Sequence, residues 1–399
     1  MTVQKKILVS GGGIAGPACA FWLHRHGYEV VIAEKAPMLR EGGQNVDIKG
    51  AGQQVIRMMG LTAAIEARDT LECGQKYISA SGEVVAVLPK GAAGTLTSEF
   101  EILRGDFAQV LYDATRDGGE WRFGRSIDRL AETDDGVTVT FDNGDVEQFA
   151  LVVCAEGMGS STRAVVFGEE TKLRYLGAYM AFFKVPRLPA DDRWAHTVNG
   201  VGGTMITLRP GNETDTTVLV TFLRSQTDAD TSPSRDRKAM LFQALEGRGT
   251  IADRIIAALD AVEDFYFGPM SQVQVSTWSK GRVVLLGDAG FCPTPFTGEG
   301  TALALVGAYV LAGELKRGAD HAQAFAAYEA RIRPCAEASQ NRLNPRLIRL
   351  VHPRTWIGIG LTRLVQRVAS APWLQERMRP GTTGRERANA RDFALPDYG

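Results

Sequence analysis

Residues 6–35, KILVSGGGIAGPACAFWLHRHGYEVVIAEK, decide the fold of this chain. The apolar run at 7–9 predicts a short buried strand, residues 18–26 follow a helical pattern, and residues 30–33 predict a second buried strand. A strand, a helix and a second strand in close succession are typical of the units that build parallel sheets. The segment therefore predicts an α/β protein.

The loop between the first strand and the helix carries the chemistry of this segment. Gly11, Gly13 and Gly16 fill the template G-x-G-x-x-G, which provides a tight turn, close approach to a pyrophosphate and close helix–strand packing. The helix that follows offers unpaired N–H groups and the positive end of its dipole to the same anion. Glu34 ends the second strand, where a carboxylate can meet ribose hydroxyls. Together these features predict a dinucleotide site.

The composition is that of a globular protein and disfavours nucleic-acid-binding and membrane-spanning proteins. The chain has 399 residues, of which 44% are hydrophobic and 23% charged, and its formal net charge is −1. These values are typical of a globular protein with room for two domains, and no global charge favours nucleic acid or anionic lipid. No segment reaches the roughly 20 apolar residues of a membrane span. We expect a monomeric cytoplasmic protein that binds neither nucleic acid nor membrane.

The cysteines support a reducing compartment. There are five of them, and none forms a C-x-x-C pair with another. A disulfide framework or a metal site is therefore not expected. The first residues superficially resemble a secretory signal, but glycines interrupt the place where its apolar core would lie.

A second glycine-rich motif lies far along the chain. Residues 282–286 predict a buried strand that ends in Gly287 and Asp288, and Gly298 and Gly300 precede a long apolar helix. A carboxylate at a strand end can accept from ribose or ribitol hydroxyls, and the glycines can bring N–H groups against a ring edge. Alternatively, Asp288 is only a helix cap and the glycines only turn the chain. Alternating β segments separate this motif from the first one.

Three motifs give the chain a family resemblance. Residues 11–16 with Glu34, residues 154–163, and residues 287–300 resemble the flavin motifs of class A flavoprotein monooxygenases, which have the p-hydroxybenzoate hydroxylase-like fold. The resemblance covers nearly the whole chain and is closest to the tetracycline-inactivating monooxygenases, or tetracycline destructases. It implies a Rossmann-like FAD-binding domain, an inserted β-sheet substrate domain and C-terminal helices. The expected division is 1–75, 96–165 and 279–330 for the FAD-binding domain, 76–95 and 166–278 for the β-rich substrate domain, 331–378 for the helical segment, and 379–399 for a loosely ordered tail.

The resemblance also implies a reaction. NADPH would reduce FAD, and O2 would form a flavin C4a-hydroperoxide that hydroxylates a polycyclic aromatic or enolic substrate, tetracyclines included. No catalytic side chain and no metal is implied. The FAD contacts would come from Gly11, Gly13, Ile14, Ala15, Gly16, Glu34, Lys35, Arg40, Asp47, Arg104, Asp288 and Pro295, with Gly298 and Gly300 near the isoalloxazine.

Two departures and two alternatives accompany this interpretation. Many relatives carry Asp-Gly where this chain has Glu156 and Gly157, and many carry His in place of Phe291. The first departure puts NADPH contacts in doubt, and the second bears on the substrate side of the flavin. The alternatives are a tailoring hydroxylase of aromatic polyketide biosynthesis and a non-catalytic FAD-bound redox or interaction protein.

Residues 355–368 predict an amphipathic helix. Ile357, Leu361, Leu364, Val365 and Val368 fall on one face of it. We expect that face to pack against the body of the protein, and the resemblance suggests that it borders the substrate entrance.

Overall fold

The computed structural model describes residues 5–40, 43–92, 100–225, 234–263, 265–318, 320–378 and 393–399. The strands are β1 Lys6–Ser10, β2 Glu29–Glu34, β3 Asn45–Ile48, β4 Gly74–Ile78, β5 Val84–Pro89, β6 Phe100–Leu103, β7 Glu120–Phe123, β8 Ile127–Thr133, β9 Gly136–Phe141, β10 Val146–Phe149, β11 Leu151–Cys154, β12 Thr171–Pro186, β13 Ala195–Gly200, β14 Thr204–Pro210, β15 Asp215–Leu223, β16 Tyr266–Val275, β17 Ser279–Lys280 and β18 Val283–Leu285.

Helices fill most of the remaining chain. They are α1 Ala15–Arg25, α2 Ala51–Met59, α3 Thr62–Glu66, α4 Arg104–Thr115, α5 Ser161–Phe167, α6 Ser234–Leu245, α7 Thr250–Leu259, α8 Asp288–Phe291, α9 Gly300–Arg317, α10 His321–Asn341, α11 Pro345–Val351, α12 Trp356–Ala369 and α13 Pro372–Met378, with a 3-10 turn at Pro295–Thr297.

The central sheet brings distant motifs to one edge. Its strand order is β17-β18-β11-β1-β2-β7, and the neighbours from β18 to β7 run parallel. In register, Ser10 lies beside Cys154 and Ala33, and Cys154 lies beside Leu285. These strands are buried nearly throughout because helices such as α1 and α9 cover the sheet, as parallel sheets require. The α/β fold class predicted from residues 6–35 is confirmed.

A second sheet of seven strands forms most of the inserted β material. Its order is β16-β12-β15-β14-β13-β4-β5, so the early hairpin of β4 and β5 joins strands from much later in the chain. Helices α6 and α7 cover one face, where Leu241, Leu245 and Ile255 are buried. The opposite face packs against α11 through Met180, Met270 and other apolar side chains.

The C-terminal region departs from two expectations. In α12 the predicted apolar face points outward, and Ile359 on the other side is the residue that is buried. Residues 393–399 were predicted to be loosely ordered, but they pack against α9. Tyr398 is buried against Gly313, and its hydroxyl donates to Glu314 at 2.6 Å. The rest of that predicted tail, residues 379–392, lies outside the described residues. Within the described chain, the helices are too short or too polar to cross a membrane.

Candidate cofactor site

The first glycine loop is shaped by close contacts that allow no side chain at two positions. Gly11 has φ +113°, and a Cβ atom there would overlap the Ala155 carbonyl. A Cβ atom on Gly16 would overlap the carbonyl oxygen of Gly11. Gly11 therefore makes the turn beneath β11, and Gly16 lets α1 pack against it, as the template predicts.

Gly13 has a different environment, which is open rather than crowded. A Cβ atom there would meet only the Nη2 atom of Arg104, at 3.4 Å. The adjacent start of α1 has Ile14 as its N-cap and Ala15 as its first residue, with no side-chain cap. Unsatisfied N–H groups, the helix dipole and a guanidinium thus face one open space, which suits a pyrophosphate.

Glu34 is fixed against this loop. Its carboxylate accepts from the Gly12 N–H at 2.7 Å and from the Ala36 N–H at 2.9 Å. The neighbouring Lys35 and Arg40 are exposed. Glu34 therefore presents a carboxylate at the end of β2, where an adenosine ribose would lie beside β1.

Arg104, the first residue of α4, interacts electrostatically with Glu34 of the first motif and with Asp288 of the second. Burial lowers its pKa, the nearby charge of Arg40 lowers it further, and Asp288 and Glu34 raise it. Arg40, Glu34 and Asp288, all predicted from the sequence, therefore each lie near Arg104. Two cations in such proximity favour the binding of an anion.

Asp288 is the first residue of α8, shortly after the end of β18, the strand that pairs with β11. Burial raises its pKa, and Arg104 opposes that rise. The preceding Gly287 has φ +63°, and a Cβ atom there would lie 2.9 Å from the Cβ of Ala15. A Cβ atom on Gly300 would lie 3.6 Å from Asp288 Oδ1. The two glycine motifs, far apart in sequence, are thus in direct contact.

The loop between α8 and α9 is strained. Thr294 has φ +78° although it is not glycine, and its buried hydroxyl has no hydrogen-bond partner among the described residues. Pro295 is exposed, and Gly298 adopts a left-handed conformation near the ammonium group of Lys49. Backbone strain and an unsatisfied buried hydroxyl in the same loop are typical of a loop that completes a ligand site.

These features fit FAD. An open anion cradle at α1, a carboxylate at β2 and a carboxylate with two glycines at α8 and α9 follow one edge of the sheet. An elongated dinucleotide needs polar partners at several points along its length. The described residues contain no cluster of His, Cys, Asp and Glu able to hold a metal ion.

The carboxylate of Glu156 is engaged in hydrogen bonds from other residues of the protein. Its carboxylate accepts from Ser10 Oγ at 2.5 Å, from Ser160 Oγ at 2.7 Å, and from the N–H and hydroxyl of Thr162 at 3.1 and 2.6 Å. The longer side chain thus ties β1 to the start of α5. Glu156 acts as a clamp for the loop in this structure.

Phe291 is part of the hydrophobic core. It is buried, stacks on Trp278 with ring centroids 4.4 Å apart, and lies beside Gly307 of α9. The phenyl ring is stabilised by the core in which it packs, and an effect of this departure on the substrate side of the flavin stays a prediction.

Asp47 belongs to a charged cluster that the sequence did not reveal. Arg209 of β14 is buried, and its Nη1 atom lies 3.5 Å from Asp47 Oδ2. The same guanidinium contacts Glu72 at 2.9 Å and Glu101 at 3.1 Å. Three carboxylates around one cation join β3 and β6 to the seven-stranded sheet. Nothing in the local sequence of any of the four marks the others.

Comparisons with known proteins agree with this geometry. A family profile described as FAD binding domain matches residues 4–342. The chain is 36% identical over 345 residues to a flavin-dependent monooxygenase from an unknown prokaryotic organism, which covers 85% of this chain and 88% of that protein. It is 30% identical to an FAD-dependent monooxygenase of Sarocladium schorii, over 99% of this chain and 98% of that protein. The crystal structure of the tetracycline destructase Tet(51) matches with a TM-score of 0.82 at 30% identity, over 99% of this chain and 100% of that one.

Proposed function

Because the chain belongs to the class A FAD-dependent monooxygenases, we propose that it uses NADPH and O2 to hydroxylate a polycyclic aromatic or enolic compound. Family membership makes it an enzyme that binds FAD. The reductant, the substrate class and the residue roles are the proposed part. Bound FAD supplies the electron transfer and the oxygen activation that side chains cannot perform.

The chain's own residues bind and orient that cofactor. Gly13, Ile14 and Ala15 direct N–H groups to the pyrophosphate, and Arg104 neutralises it. Glu34 receives ribose hydroxyls, and Asp288 receives hydroxyls nearer the flavin. Gly298 and Gly300, without side chains, let the ring approach the start of α9 closely.

The substrate class is supported by an apolar surface next to the flavin loop. Phe296, in the 3-10 turn that precedes Gly298, packs against the apolar cluster between the seven-stranded sheet and α11. Phe182 of β12, Leu223 of β15 and Leu347 of α11 pack there too and remain partly exposed. Apolar side chains that retain exposure beside a cofactor loop suit a flat, apolar, fused-ring substrate and exclude water from it.

Tetracyclines are the first substrates to test within this class. The match to Tet(51) over essentially the whole of both chains supports this choice. The comparably complete match to a fungal FAD-dependent monooxygenase favours a second candidate, a hydroxylase that tailors an aromatic polyketide. Both candidates use the same apolar surface and differ in the polar groups that the ring system carries.

One assay separates these candidates. Purified holoprotein is mixed with NADPH, O2 and either a tetracycline or an aromatic polyketide, and NADPH consumption and product mass are followed together. We expect the true substrate to accelerate NADPH consumption and to gain one oxygen atom. Acceleration only by the polyketide would assign the tailoring role. If no member of either class accelerates NADPH consumption or gains oxygen, the proposed function is wrong.

A further inference from the structure

Helix α12 carries a continuous apolar face that points away from the protein. Ile357 is 86% exposed and Leu361 61% exposed, and Leu364, Val365 and Val368 on the same face are exposed as well. The face is flanked by an exposed tryptophan in each of two helices, Trp356 at the start of α12 and Trp373 in α13. Single exposed apolar residues are ordinary, but a contiguous set on one helix marks an interaction surface.

The other side of α12 is attached to the substrate sheet. Ile359 is buried, and the side-chain amide of Gln366 donates to Asn199 of β13 at 3.4 Å. Just before the helix, the Gly202 N–H donates to the Arg354 carbonyl at 3.0 Å. The hydroxyl of Thr355 caps the first turn by accepting from the Gly358 N–H. These contacts hold α12 with its apolar face outward.

The sequence around α12 is predominantly basic. Residues 338–378 contain seven arginines and one acidic residue, Glu376, whereas the whole chain has 45 basic and 46 acidic residues. Arg346, Arg349, Arg354 and Arg367 are exposed, and none of them forms an ion pair with a described residue. A net charge of −1 therefore conceals a strongly cationic stretch of sequence, residues 338–378, that includes the apolar helix.

We propose that α12 docks on the surface of an anionic lipid bilayer, with its apolar face in the interface and the surrounding arginines on the headgroups. An amphipathic helix with arginine and tryptophan at its borders is the type that lies in a membrane interface without crossing it. The expectation of no membrane affinity was based on the net charge of the whole chain and on the lack of an apolar segment long enough to span a membrane. The exposed Arg354 and Arg367 lie just before α12 and within it, and so accompany its apolar face.

Two other occupants fit less well. A second copy of the chain would bring two cationic regions against each other, which costs repulsion at the rim. The segment 379–392 of the same chain has no large apolar side chain in its sequence with which to cover the face. An anionic bilayer satisfies both the apolar and the charged part of the surface.

Vesicle flotation of the FAD-loaded protein tests this proposal. One set of vesicles contains phosphatidylcholine alone, and the other contains about one third anionic phosphatidylglycerol. We expect binding to the anionic vesicles, weakened by salt, with a blue shift of tryptophan fluorescence. The pair Arg349→Gln and Arg367→Gln should lower the partition coefficient about 25-fold, since each surface arginine contributes about fivefold. The pair Leu361→Ser and Val365→Ser should lower it by about tenfold or more.

Matched variants elsewhere on the surface serve as controls. Val146→Ser, on the exposed side of β10, and Arg129→Gln, on the exposed β8, should bind vesicles like the unchanged protein. Flavin absorbance and circular dichroism verify that every variant is folded, and the oxygenation assay is independent of vesicle binding. Equal binding to neutral vesicles, absence of binding, or unchanged binding of the α12 variants would overturn the proposal. So would a dimer in solution that the Leu361 and Val365 changes abolish, if no lipid binding accompanies it.

Discussion

The buried cluster around Arg209 makes a pH-dependent prediction about Glu101. Burial raises the pKa of Glu101 to about 7, and the carboxylates of Glu72 and Asp47 raise it while Arg209 lowers it. The cause is that one guanidinium faces three carboxylates in a space closed to water. The folded protein therefore disfavours the ionised form of Glu101, which would be the third negative charge beside a single guanidinium.

The sign of the effect follows from the direction of this shift. In the unfolded chain Glu101 ionises near its ordinary pKa of 4.5, whereas in the folded protein it keeps its proton until about pH 7. Its contribution to stability is therefore fully present below pH 4.5 and is lost as pH rises through 7. The gap between the two pKa values corresponds to about 3 kcal/mol.

Substitution of Glu101 by Gln should remove this dependence. The new side chain mimics the protonated acid, and its oxygen can still accept from Asn45 at 2.7 Å and from Thr70 at 2.8 Å. We expect the variant to be more stable than the unchanged protein by up to about 3 kcal/mol near pH 8, and nearly equal to it near pH 5. Urea unfolding followed by near-UV circular dichroism at both pH values measures the difference.

The matched control is Glu66→Gln, an exposed glutamate at the end of α3, which should change stability equally little at both pH values. If Glu101→Gln and the unchanged protein lose stability in parallel between the two pH values, the buried cluster does not hold Glu101 protonated. The reasoning about its charge would then be refuted.

Three further predictions concern the cofactor site. Gly13→Val should abolish FAD binding but leave circular dichroism unchanged, because its side chain would enter the open space beside Arg104; stoichiometric flavin absorbance after desalting would contradict this. The family resemblance suggests that the exposed Arg40 serves NADPH as well as FAD, so Arg40→Ala should slow reduction of the flavin by NADPH more than reduction by dithionite. Stopped-flow absorbance measures both rates, and equal effects would remove Arg40 from the NADPH role. Glu156→Ala should lower the free energy of unfolding by about 2 kcal/mol or more, because Ser10, Ser160 and Thr162 lose their shared acceptor; an unchanged urea midpoint would show that the clamp adds no stability.

Much of the fold was predictable because its evidence is local. The strand, loop and helix of residues 6–35 each depend on neighbours within a few positions, and the structure has them as β1, α1 and β2. The contact between Gly287 and Ala15 was not readable in the same way. It arises because β1, β11 and β18 are parallel strands of one sheet, whose carboxyl ends lie at a common edge.

The candidate site was predictable where a residue type carries its own chemistry. Glycines that turn a loop and acids that end a strand identify themselves, whereas Glu156 and Phe291 were understood only from their contacts. The Arg209 cluster had no sequence signal, since its members lie on separate strands and loops and its chemistry arises only when they meet.

Helix α12 shows which property the sequence determines and which property only the tertiary structure decides. By itself the sequence determined that Ile357, Leu361 and Val365 share one face, because helical geometry fixes the angle between residues three and four positions apart. Which way that face points was decided only by the tertiary structure. The contacts of Ile359 and Gln366 with the body set the rotation of the helix, and such contacts involve strands more than a hundred residues away. A periodic pattern specifies a face, but only the assembled chain specifies what the face meets.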